Sequence, residues 1–291
     1  MHPAPSLIVF TTLSGLGFGL MAFLGLGMPP VAGWVAFAFY ALAFALAGGG
    51  LLASTLHLGH PERALKAFSQ WRSSWLSREA WLSVAALVVN GLHGAALVVF
   101  GARIGALGVL GAALALATVI ATAMIYTQLR TVPRWHHWST PALFLAYSVT
   151  GGALLAGQTS LASILFLLTG VFQLWVWQDG DKRFARSGTS IGSATGLGDR
   201  GAVRAFEPPH TGTNYLLTEM VHVVARKHAA KLRVIAFVLA FALPWAILLG
   251  LPFSHALAAL TVLSHVAGTA CARWLFYAEA EHVVGLYYGK R

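Results

Sequence analysis

Ala32-Gly33-Trp34-Val35-Ala36-Phe37-Ala38-Phe39-Tyr40-Ala41-Leu42-Ala43-Phe44-Ala45-Leu46-Ala47-Gly48-Gly49-Gly50-Leu51-Leu52-Ala53-Ser54-Thr55-Leu56-His57 holds no Asp, Glu, Lys or Arg. About 20 such residues suffice to cross the hydrocarbon core of a bilayer as a helix. A backbone in that core must satisfy its own polar groups, which a helix does within one segment. The rest of the 291-residue chain repeats the pattern: 57% of residues are hydrophobic and 10% charged, against about 25% charged in soluble domains. Mean hydropathy is +0.72. A soluble enzyme is excluded, and the fold class is all-α, a polytopic membrane protein. The single cysteine, Cys271, excludes a disulfide framework, a cysteine-ligated zinc site and an iron-sulfur cluster held by this chain alone. Met1-His2-Pro3-Ala4-Pro5 has no Lys or Arg ahead of the first apolar run, so a cleaved signal peptide is not expected.

Eight spans are read, at 6–27, 32–57, 80–100, 105–127, 140–157, 160–178, 233–251 and 256–278. The organisation is six helices over 1–178, a loop over 179–232, and two more helices with a short tail over 233–291. An even count puts both termini on one side. All Lys and Arg except Arg103 and Arg273 fall on that side, which the positive-inside rule makes cytoplasmic. The net charge of +10 then needs no nucleic acid, because anionic headgroups account for it. The connections on the other side are a few residues each. Within the long loop, Ser187 to Gly201 reads as coil. From Thr213, the apolar run Leu216, Leu217, Met220, Val224 with Glu219 and Arg226-Lys227 predicts an interfacial amphipathic helix. A plain helical lead-in to span seven is the competing reading.

Gly15 and Gly19, and the run Gly48-Gly49-Gly50, are small residues placed for close helix approach. Pro244 should kink span seven, with neighbouring groups satisfying the carbonyl it frees. Ionisable groups at membrane depth are costly and carry a functional expectation. They are His57, Glu79, His93, His265 and Arg273. His93 and His265 stand at comparable depth and are candidate haem ligands. Bonds to helix carbonyls, Asn90 or Ser264 would explain them equally well.

The stretch Ser54-Thr55-Leu56-His57-Leu58-Gly59-His60-Pro61-Glu62-Arg63-Ala64, followed by Trp71, Trp75 and Ser77-Arg78-Glu79-Ala80-Trp81, has the chemistry a quinone headgroup needs. It offers a donor for a carbonyl oxygen, groups that exchange protons with water, and an aromatic slot. His57 is the candidate donor, since imidazole titrates near neutrality. Glu62 and Glu79 are the candidate proton relays. The alternative stays open at this point: His57 and Glu79 as helix caps and the tryptophans as an interfacial belt.

Leu-His-Leu-Gly-x-Pro-x-Arg-Ala at Leu56 to Ala64, Ser-x-Glu at Ser77 to Glu79, Tyr126 with Thr131-Val132-Pro133, and Arg273 with Phe276-Tyr277 resemble the membrane anchor subunits of the dimethyl sulfoxide reductase family. The likeness runs over nearly the whole chain. It implies an anchor that holds an iron-sulfur subunit and a molybdopterin catalytic subunit and exchanges electrons with ubiquinone or menaquinone. Molybdopterin and iron-sulfur clusters would then lie only in the partners, and no haem or metal is expected here. It also implies a quinone contact at His57 with Glu79 beside it; the candidate quinone contacts are therefore His57, Arg63, Glu79 and Arg130, and Arg72, Arg78 and Arg134 are the candidates for docking the partner. The N-terminus and the insertion Glu207-Pro208-Pro209-His210-Thr211-Gly212-Thr213-Asn214-Tyr215 depart from the reductase anchor. They are similar to the sulfite-oxidising branch, whose electrons flow to quinone. The alternative within the family is a quinol-oxidising reductase anchor. A transporter is the rival class, and the spans show no obvious inverted repeat to support it.

Overall fold

A computed structural model describes every residue except His57, Pro208, His222, Val223, Phe253, Lys290 and Arg291. Among the described residues the chain is helical, with no strand. Seven helices are long and apolar enough to cross a membrane: α1 (Pro5–Gly25), α2 (Gly33–Thr55), α3 (Trp75–Phe100), α4 (Gly105–Thr127), α6 (Thr159–Arg186), α7 (Arg226–Gly250) and α8 (His255–Ala278). Between α4 and α6 lies α5 (Ser139–Leu155), apolar but only 17 residues long. The chain is a multi-pass membrane protein.

The first helix is the hub. It packs against α2, α4, α5 and α8, and from Leu16 to Gly25 it is buried without a break. Glycines let neighbouring backbones touch it. A side chain at Gly17 would strike the Ala43 and Ala47 backbone of α2, one at Gly19 the Ser148 carbonyl of α5, and one at Gly25 the Gly108 carbonyl of α4. Gly50 of α2 meets Ser14 and Phe10 in the same way. Of the glycines singled out from the sequence, Gly19 and Gly50 therefore carry contacts. Gly15, Gly48 and Gly49 have nothing within 4 Å, because the four-residue spacing does not tell which side of a helix faces protein.

The ends of the chain meet. The Met1 amine donates to the Ala280 carbonyl at 2.7 Å, and the His2 N–H to the Glu219 carbonyl at 2.7 Å. The Val283 N–H reaches the Thr131 carbonyl at 2.9 Å. This terminal face also gathers the turns after α2 and α4 and the long segment after α6.

Three sequence expectations are corrected. Helix α6 continues to Arg186, so Asp179 to Arg186 belong to it and not to the loop. Asp179 pairs with Arg183 at 2.7 Å one turn on, and with Arg186 at 2.5 Å, which neutralises the charged end as it leaves the apolar layer. The seventh helix begins at Arg226, ahead of 233. Among the described residues between Thr213 and Arg226 there is no helix longer than five residues. Two five-residue turns, Leu216–Met220 and Val224–His228, stand in place of the expected amphipathic helix, with Asn214 tied to the Tyr288 hydroxyl at 3.0 Å. A segment this short is below the length at which helix propagation outweighs nucleation, and tertiary ties decide its shape.

Candidate functional site

After α2 the chain turns on the terminal face. Pro61 opens the 3-10 turn Pro61–Phe68, with Glu62 in its first turn and Lys66 in its last, the arrangement the helix dipole favours. Ser77 holds this turn against α3, its hydroxyl donating to the Ala67 carbonyl and accepting the Gln70 N–H at 3.2 Å. Trp81 Nε1 donates to the Phe68 carbonyl at 3.1 Å, and the two rings meet edge to face at 5.3 Å. Arg78 donates to the Trp71 carbonyl at 3.0 Å and the Arg72 carbonyl at 2.7 Å, and lies over the Trp75 ring at 4.4 Å. Trp75, Arg78 and Leu82 follow helical spacing, so they share one face of α3. With Phe68, Trp71 and Trp81 they line an open groove of about 570 Å³.

A second feature lies inside the bundle, near the same end. Tyr126 of α4 and Tyr277 of α8 share a hydroxyl hydrogen bond of 2.8 Å. Trp135 stacks on Phe276 at 5.1 Å and donates to its carbonyl. Arg273, buried, lies over the Phe144 ring at 3.6 Å and near Tyr147 at 5.1 Å, and its Nε has no partner. Tyr147 donates to Gln173 at 2.8 Å. Of these groups Trp135, Tyr147, Gln173, Arg273 and Phe276 wall a small cavity of about 30 Å³ that also touches Arg134 and Glu279. Arg134 and Glu279 recur as walls of a larger cavity, about 170 Å³, with Asp181, Arg226, Arg233 and Glu281. Glu279, buried, accepts from Arg134 at 2.7 Å and from Arg233 at 2.6 Å, and both arginines also hold Asp181. Removing an arginine strands charge on the buried Glu279, while Asp181 stays open to water.

A family model described as DMSO reductase anchor subunit (DmsC) matches residues 1–278. The chain belongs to the DMSO reductase anchor subunit family. It is 32% identical over 324 residues to a sulfite dehydrogenase subunit of Allochromatium vinosum, covering 99% of each chain. No solved structure matches it.

In this anchor-family chain the residues read from the sequence as one site are divided. His57 lies outside the described residues. The apolar slot is present, as the groove around Trp75. Glu79 is not among the residues lining it. It is buried on the inner face of α3, bonded to the Thr122 hydroxyl of α4. Arg63 and Arg130 are exposed and do not line the groove. Glu62 is exposed too, 2.9 Å from His60 Nδ1 and 4.0 Å from Arg63 Nε. Of the docking candidates, Arg78 is engaged with loop carbonyls and Arg134 with Glu279 and Asp181, and Arg72 is exposed beside Trp71. The charge count alone does not separate a cation that faces a partner from one that holds its own fold.

His93 and His265 occupy different seams. His93 Nδ1 is 2.7 Å from the Tyr40 hydroxyl, and its Nε2 presses on Gly108. His265 Nδ1 donates to the Ala240 carbonyl at 2.8 Å, and its Nε2 faces Gly151. They do not form a facing pair, and each ring abuts helix backbone where a haem plane would have to lie. Among the described residues no group of three or more His, Cys, Asp or Glu is gathered as metal ligands. The interior tyrosine network was missed as a site, since Tyr126 and Tyr277 entered only through the family likeness. The signal was there: Tyr126, Tyr147, Gln173 and Tyr277 are polar groups within apolar helices, at depths close to Arg273.

Proposed function

We propose that this chain is the membrane anchor and quinone-reactive subunit of a molybdopterin and iron-sulfur oxidoreductase in the bacterial cytoplasmic membrane. Its terminal face looks into the cytoplasm, where the cations of the loops concentrate. An iron-sulfur subunit docks there directly and holds the molybdopterin subunit, so the chain itself is the non-catalytic part of the enzyme. The likeness to a subunit of a sulfite dehydrogenase supports sulfite as the electron source, with flow toward quinone.

The observation that carries the quinone reading is the groove of Phe68, Trp71, Trp75, Arg78, Trp81 and Leu82. Its volume is that of a small-molecule site. Four aromatic rings offer faces for a flat ring, and the opening lets an isoprenoid tail pass into lipid. Arg78 has five N–H donors, of which two are committed to loop carbonyls, leaving others for a quinone oxygen. A bound quinone would supply a two-electron, two-proton acceptor. His57, two residues after α2 in the sequence, is proposed as a further donor, and Arg63 and Arg130 as outer contacts.

The test is made in the assembled complex. Trp75→Ala and Trp81→Ala should each raise KM for quinone on the order of tenfold, the worth of one lost aromatic contact. Dye-linked sulfite oxidation by the soluble subunits should stay intact. Unchanged quinone kinetics in both variants would overturn the assignment, and a sulfoxide substrate in place of sulfite would reverse the direction of flow.

A further inference from the structure

We propose that the interior polar network is a proton route from the aqueous phase at the terminal face to the Glu79 carboxyl. It passes the Arg134–Glu279 partition, the small cavity beneath it and the Tyr277–Tyr126 hydroxyl pair. The inference rests on the quinone reading above and goes beyond it, because none of these groups lines the aromatic groove.

Continuity is the first argument. The larger cavity is walled by Asp181, Arg226, Arg233 and Glu281 and shares Arg134 and Glu279 with the smaller one. A water occupies about 30 Å³ of liquid, so the outer space holds several and the inner about one. The inner space has polar groups to hold a water. Arg273 lines it and carries an unpartnered buried Nε, and Tyr147 and Gln173 stand on its wall. Arg273 and Tyr277 are four residues apart on α8, hence on one face. From Tyr277 the hydroxyl contact of 2.8 Å leads to Tyr126, and Glu79 is bonded to Thr122, which stands four residues before Tyr126 on the same face of α4.

The inner end is built to take a proton. Thr122 has one hydroxyl hydrogen and two acceptors within reach, the Glu79 carboxyl and the Thr118 carbonyl at 3.1 Å. A proton on Glu79 relieves that shortage by reversing the first bond. Glu79 also neighbours Trp75 and Leu82 on the surface of α3, at four residues before and three after, so it stands between the network and the groove wall. An apolar seam would pack this bundle at lower desolvation cost than a buried carboxyl and a buried guanidinium.

In the direction of quinone reduction, electrons come from a reduced iron-sulfur centre of the partner. The Glu79 O–H bond breaks as its proton leaves toward the groove side of α3, where it ends on the reduced carbonyl oxygen. The carboxylate then takes a proton from Tyr126, Tyr126 takes one from Tyr277, and Tyr277 takes one passed on from the cavity water beside Arg273, one helical turn away; that water regains its proton from the aqueous phase across the partition. Two passes deliver two protons for two electrons.

The test uses hydrogen–deuterium exchange at the Glu79 carboxyl in the full chain in liposomes. The reporter is its infrared C=O stretch, assigned by the band lost in Glu79→Gln. Tyr126→Phe and Tyr277→Phe should each slow the exchange on the order of a hundredfold, the lower end of the roughly 10²–10⁴-fold worth of a positioned proton-transfer group. Ala272→Val, which narrows the inner cavity without removing a hydrogen bond, should slow it too, and Tyr40→Phe in another seam should not. In the complex, quinone-linked turnover should fall in step, with binding of a quinone analogue, read by tryptophan quenching, unchanged. Absence of the carboxyl band, or native exchange rates in the tyrosine and Ala272 variants, would overturn the route. Loss of analogue binding by the native chain would instead sink the quinone reading and leave the exchange result standing.

Discussion

Pro244 has no N–H, so the carbonyls one turn behind it lose their helical donor. Around it α7 widens into the π-turn Val238–Ala242. Ser264 donates to the Leu239 carbonyl at 2.8 Å and His265 to the Ala240 carbonyl at 2.8 Å, so two consecutive residues of α8 repair two consecutive carbonyls. Gly268, one turn along, admits the close approach, because a Cβ there would strike the Ala240 backbone. This assigns His265 to architecture. His265→Leu leaves a buried carbonyl without a donor and should cost about 1–3 kcal/mol, read as a lower melting temperature of the detergent-solubilised chain. A melting temperature equal to the native one would refute this account. That Pro244 needs a substitute donor is legible in the sequence. Which side chain supplies it is not, since a single span does not record its neighbour's register. Glu79 is a related case: its type and depth follow from the sequence, yet which face of α3 turns inward depends on packing with α4.

At the scale of the helices, the spans are the most legible feature, because length and apolarity are local properties. Their pairing is not. The glycines make this testable. Gly17→Ala and Gly50→Ala force a methyl group into the backbone of the opposing helix, and overpacking of this kind costs about 1–3 kcal/mol. Gly15→Ala and Gly48→Ala meet open space and should leave stability unchanged or slightly raised. Thermal unfolding of the four variants in one detergent separates the pairs, and equal losses in all four would contradict the packing described. The turn after α2 gives the opposite lesson. Its aromatic and basic residues read as a slot from the sequence alone, because Trp75, Arg78 and Trp81 lie within two turns of a helix whose geometry is known.

For the molecule as a whole, the terminal face joins elements far apart in sequence, and two imidazoles help to hold it. His137 Nδ1 accepts the Ser139 N–H at 3.2 Å, and His282 Nδ1 accepts the Val284 N–H at 3.0 Å. Burial holds both rings below the ordinary value of 6.5. The Arg183 charge adds to this for His137, and the chain's amino terminus does so for His282. A base with a depressed folded pKa binds fewer protons folded than unfolded, so its contribution is complete above about 6.5 and declines as pH falls toward the folded value. Exchange of the Ser139 and Val284 amides, corrected for intrinsic rates, should therefore quicken between about pH 7 and pH 5. Protection that stays level across that range would rule the imidazoles out as holding groups.

The position of α1 sets a condition on biogenesis. It leaves the ribosome before its neighbours, yet the surfaces that cover it belong to α2, α4, α5 and α8, and α8 follows all the others in the chain. Until then its glycine-notched flanks face lipid or the insertion machinery. A chain arrested before His255 would carry an incompletely clothed hub, which marks it for membrane quality-control proteases.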